Sequence, residues 1–181
     1  HNYDTGLAMN GSPVSSGNGN IVHFRGIDNT LWTRWNAAGN WSAASSSVFM
    51  KGNPAVSANG YIVNYIGANN NLWVRWLSGS AWSVNDSGVF MNGTAATSAA
   101  GNIIAFRGRG GDFSLRWNDG AQWQSSGSGI AIKGNPAVSW NSNVINFRGP
   151  DGTLWVRWLS DRWNVSGSGL PMNDARPIYN F

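Results

Sequence analysis

Glycine stands at positions 11, 52, 93 and 134, 41 residues apart each time, and Asp174 falls 40 beyond the last. Aligning the chain on these glycines superposes four phrases at residues 23–35, 64–76, 105–117 and 146–158: HFRGIDNTLWTRW, NYIGANNNLWVRW, AFRGRGGDFSLRW and NFRGPDGTLWVRW. A period of roughly 20–50 residues signifies stacked modules, none of which can bury its apolar face alone. The repeat therefore sets the architecture, and it implies that any binding site exists in several copies. No shift of composition interrupts it. The chain reads as a single domain, 1–181, with repeats at approximately 11–51, 52–92, 93–133 and 134–173.

The residues available point the modules toward strands. All eight acidic residues are aspartate, glutamate is absent and lysine occurs twice, while Gly, Asn, Ser, Trp and Val dominate. Such residues suit strands joined by tight turns. With no cysteine there is neither a disulfide framework nor thiolate chemistry. The longest apolar stretches run to about five residues against roughly 20 for a spanning helix, so no membrane insertion is expected. A leader peptide is not apparent, and the first residue is His1 rather than Met. A processed N-terminus and a secreted, extracellular protein are expected. The net charge of +4 comes from ten Arg and two Lys against eight Asp, spread one or two cations per repeat. That spread follows the repeat and forms no basic stripe, so nucleic acid is not an expected partner.

One repeat shows the local grammar. Within 52–92, Pro54-Ala55-Val56-Ser57 is a short apolar run, and Ala58-Asn59-Gly60 is a turn signal. Tyr61 to Tyr65 reads as a second strand, closed by Gly67 and the turn Asn69-Asn70-Asn71. Leu72 to Trp76 alternates as a third, with Leu72, Val74 and Trp76 on one face and Trp73 and Arg75 on the other. Trp82-Ser83-Val84 opens a fourth after Ser78-Gly79-Ser80. Four short strands in about 41 residues make the unit of a propeller blade. The first strands, at Pro13, Pro54, Ala95 and Pro136, carry small side chains, as strands crowded around an axis should. A trefoil would show three repeats, and a sandwich would not hold the period. The expected fold is all-β, a β-propeller of four four-stranded repeats. The ends extend the pattern: 4–11 matches 86–93, and Pro177-Ile178-Tyr179 reads as a fifth first strand. The ring is thus expected to close through the two termini or to be completed by a second chain.

These phrases resemble tectonin-like repeats and, more closely, the bacterial fucose-binding propeller lectins. The resemblance rests on Pro136-Ala137-Val138-Ser139-Trp140 and on 147–158, FRGPDGTLWVRW, and it extends in phase over nearly the whole chain. It implies a multivalent carbohydrate-binding protein that holds fucose-type or other neutral sugars in the grooves of its repeats, with no cofactor.

The residue types agree with that implication. A sugar ring presents an apolar face and a rim of hydroxyls. An aromatic plate with a few fixed donors and acceptors holds it. The candidate sugar contacts are Trp140, unique to one repeat; Trp32, Trp73 and Trp155, with Ser114 in the third repeat; Arg25, Arg107 and Arg148, with Ile66 in the second; and Arg34, Arg75, Arg116 and Arg157, present in all four. Two complete tryptophan series, at 35, 76, 117 and 158 and at 41, 82, 123 and 163, read as packing. His23 occupies the place of Asn64, Ala105 and Asn146 and reads as a local variation. Catalysis is not expected. Glycosidases need two flanking carboxylates, one of raised pKa, whereas Asp28 and Asp151 sit where turns want aspartate. No nucleophile motif surrounds a histidine, and metal ligands are too few. A non-catalytic protein-binding scaffold is the alternative.

Overall fold

A computed structural model describes residues 5–120 and 122–172, and among them every regular element is a strand. The first repeat holds β1 (Val14–Ser15), β2 (Ile21–Arg25), β3 (Thr30–Ala37) and the first half of β4 (Asn40–Val56). The second half of β4 starts the second repeat, followed by β5 (Ile62–Gly67), β6 (Asn71–Ser78) and β7 (Ala81–Phe90). Next come β8 (Asn92–Thr97), β9 (Ile103–Arg107), β10 (Asp112–Asn118) and β11 (Trp123–Ala131). The last repeat is β12 (Lys133–Val138), β13 (Val144–Arg148), β14 (Thr153–Leu159) and β15 (Trp163–Pro171).

Each repeat is an antiparallel four-stranded meander, and the register recurs from one to the next. Thr33 pairs with His23, Val74 with Asn64, Leu115 with Ala105 and Val156 with Asn146. β4 spans a repeat boundary: Asn40–Phe49 pairs with β3, and Met50–Val56 pairs with β5. β1 to β7 therefore run in one continuous strand order. The strand crosses between Phe49 and Met50; the anchor Gly52 follows at φ 67°, and the other three anchor glycines share this left-handed backbone: Gly11 at 99°, Gly93 at 88° and Gly134 at 78°. A side chain there would be strained, which explains the anchor.

The core is divided among the junctions between repeats. Leu31, Met50, Val63 and Tyr65 join the first two. Leu72, Val74, Ile104 and Phe106 join the second and third, and Phe113, Leu115, Ile145 and Phe147 join the third and fourth. This is nearest-neighbour stacking, the energetic form of a repeat protein. At one end of the array the repeat tips also meet. Gly17 N donates to Ala58 O at 2.7 Å, Ala58 N donates to Ala99 O at 2.8 Å, and the Trp140 ring of the last repeat lies against Gly17 of the first. The tips share one local device: Ser16, Ser57, Ser98 and Ser139 donate to Asn18, Asn59, Asn102 and Asn141 and accept from the amide that starts the next strand. The expected fifth strand at 177–179 and the start of the N-terminal match at Asp4 lie outside the described residues. Met9, further along that match, bridges Gly26.

Candidate functional site

Two series among the sequence candidates have partners inside their own repeats. Trp32, Trp73 and Trp155 lie over Gly26, Gly67 and Gly149, so closely that a Cβ on the glycine would collide with the indole. Each indole N–H donates to the turn: Trp32 to Asp28 at 3.3 Å, Trp73 to Asn69 at 3.1 Å and Trp155 to Asp151 at 3.0 Å. Their rings also stack on Phe24, Tyr65 and Phe147. In the third repeat Ser114 Oγ takes the place over Gly108. The Thr30 amide holds Asp28 below the usual carboxylate range, and the Thr153 amide does the same for Asp151. Both carboxylates thus serve their turns.

Arg34, Arg75, Arg116 and Arg157 each stack on the tryptophan of the neighbouring strand, Trp41, Trp82, Trp123 and Trp163, at 4.8, 4.3, 5.4 and 5.3 Å. Such cation–π contacts gain strength when water is excluded. The same guanidiniums reach the preceding repeat: Arg75 Nη1 donates to Thr33 Oγ1 at 3.1 Å, and Arg157 also covers Phe113. Burial lowers the pKa of Arg75, Arg116 and Arg157. Arg25 donates through Nε to the Asn10 carbonyl at 3.0 Å, while Arg107 and Arg148 are half-buried at the same register of β9 and β13. Trp140 is 72% exposed.

A large concavity lies elsewhere, between the first and second repeats. It is a groove of about 600 Å³, within the usual range of small-molecule sites. Trp35 from β3 and Trp82 from β7 line it together with Tyr61, and Asn18, Asn20, Asn36, Asn59 and Ser80 supply amides and a hydroxyl. No charged side chain lines it. Its counterpart between the second and third repeats is smaller, about 270 Å³, and is lined by Trp76 and Trp123 with Ile62, Val74, Leu77 and Asn118. The two packing series thus face each other across successive grooves.

Beneath the large groove lies a buried polar network. His23 is fully buried, with Nδ1 3.0 Å from Thr33 Oγ1 and Nε2 2.9 Å from the Gly60 carbonyl. Burial pushes its pKa down to about 4, so the ring is neutral at physiological pH. Its edge meets Trp82 at 5.9 Å. Of the residues singled out from sequence, Arg75 alone reaches this floor. Thr33, Tyr61 and the groove asparagines lie outside the series that repeat in every module. Thr33 differs from Val74, Leu115 and Val156 inside an otherwise uniform phrase, and that variation was the available signal.

Comparison with known proteins places the fold more firmly than the site. No family model matches the chain, and no curated protein matches it. Among solved structures, a candidate 6-phosphogluconolactonase from Bacteroides uniformis shares 10% identity over 92% of this chain and 60% of its own, with a TM-score of 0.60. TolB from Acinetobacter baumannii shares 15% over 86% of this chain and 42% of its own, with a TM-score of 0.55. The chain therefore spans less than two thirds of either protein. A fucose lectin from Kordia zhangzhouensis, solved with methyl-fucoside, shares 12% over 63% of this chain and 95% of its own, at 0.46. At such identities the first two likenesses are of fold: an all-β array of antiparallel sheets.

Proposed function

We propose that the four meanders are blades of a β-propeller and that the protein is a non-catalytic lectin binding neutral sugars in the grooves between blades. The observation that carries this reading is the groove itself, with two tryptophans and a tyrosine beside four asparagines and no charged lining residue. An indole face matches the C–H face of a pyranose, and amides supply both donors and acceptors to its hydroxyls. The Trp140–Gly17 contact and the linked tips support an arrangement around a common axis. A hydrolytic reading finds no support in the residues present, since Asp28 and Asp151 are tied to their turns and His23 is sealed under the groove. The test is a glycan array probed with the folded protein, repeated with excess free sugar. Binding that free sugar inhibits is the expected result. A blank array would overturn the reading and favour a protein-binding scaffold.

A further inference from the structure

We infer that, of the two tryptophan-walled grooves among the described residues, the one between the first and second repeats is the competent sugar site, and that the Thr33 hydroxyl is its specificity-determining contact. This rests on the sugar-binding reading above. Paired tryptophans stand at three successive junctions: Trp35 with Trp82 and Trp76 with Trp123 line grooves, and Trp117 and Trp163 pack against the core cluster of the third. They differ at the floor. The paired positions there are His23 and Thr33 in the first, Asn64 and Val74 in the second, and Ala105 and Leu115 in the third.

The first floor has a defined hydrogen-bond direction. The Gly60 carbonyl can only accept, so His23 Nε2 carries the proton and donates to it. Nδ1 of the neutral ring is then an acceptor, and the Thr33 hydroxyl donates to it. Arg75 Nη1 donates to the same oxygen. These bonds use the hydroxyl's hydrogen and one of its two lone pairs. The other lone pair is left free, and Thr33, 4% exposed, lies at the foot of the groove that it lines. The site therefore selects a ligand that offers a hydroxyl donor beside an apolar ring face.

The second floor lacks such a group. Asn64 Oδ1 and Arg116 Nε are buried without hydrogen-bond partners but do not line that groove, and Val74 presents methyls to it where Thr33 presents oxygen to the first. The third floor is hydrocarbon on both strands. A sugar hydroxyl pressed onto Val74 or Leu115 would lose its water unrewarded, leaving those junctions roughly 10- to 100-fold weaker.

The experiment follows the indole N–H signals of the tryptophans in ¹H–¹⁵N spectra. The chain is titrated to tens of millimolar with methyl α-L-fucoside, methyl β-D-galactoside and methyl N-acetyl-β-D-glucosaminide. At least one glycoside should move Trp35 and Trp82 saturably while Trp76, Trp117, Trp123 and Trp163 stay still. Thr33→Val should weaken that binding tenfold or more in protein whose circular dichroism is unchanged. Ser80→Trp, at an exposed turn on the rim, should block the groove without touching its floor, and serves if the valine variant does not fold. Equal shifts in all three tryptophan pairs, shifts at Trp140 alone, or unchanged affinity in folded Thr33→Val would overturn the single-site inference and leave the lectin reading standing. Silence with every glycoside would overturn both.

Discussion

Glycine in this chain does two different jobs, and they predict different sensitivities. At 11, 52, 93 and 134 it supplies left-handed backbone, whereas at 26, 67 and 149 it makes room for an indole. Gly149→Ala should therefore act through overpacking against Trp155, lowering stability by about 1–3 kcal/mol in a denaturant titration. A second residue-scale effect is acid sensitivity. His23 has an unfolded pKa of 6.5 and a folded value of about 4, so between those values the unfolded chain binds more protons. Stability should fall as pH drops through that window, by up to about 3 kcal/mol in total. Asp28 and Asp151 act lower down: their depressed values stabilise the fold above the ordinary carboxylate pKa, and that contribution fades below it. His23→Asn, which places here the residue found at 64 and 146, should flatten the upper part of the pH–melting profile only. An unchanged slope between pH 6.5 and 4 would show that another group titrates there.

At the scale of elements, the meander was legible because its signals are local. Alternation in Leu72 to Trp76, the Asn and Gly turns and the small first strands all point to pairings that the structure contains. The unbroken β4 was not legible. Gly52 anchors the repeat in sequence, yet with φ at 67° it lies inside one strand that passes from the edge of one meander into the next. The site was less readable than the fold for a related reason. Repetition marks what each module needs, and the tryptophan and arginine series proved to be mutual partners across neighbouring strands and repeats. The selective chemistry sits where the repeats disagree, at His23 and Thr33 against Asn64 and Val74. That comparison yields a repair. Val74→Thr would give Asn64 Oδ1 a donor and Arg116 an acceptor, and should raise stability by about 1 kcal/mol. A lower melting temperature would mean that those two groups are not joined by a hydroxyl at this register.

For the whole molecule, the 41-residue period carried most of the information. It announced four equal modules, and the structure shows four meanders with core clusters at their junctions. The central claim is that the junction between the first two modules holds a neutral sugar. A crystal of the chain soaked with the glycoside that scores best on the array tests it most directly. The account predicts a pyranose between Trp35 and Trp82 with one hydroxyl donating to Thr33 Oγ1. A sugar seated only on Trp140, or a groove that stays empty at saturating ligand, would contradict it.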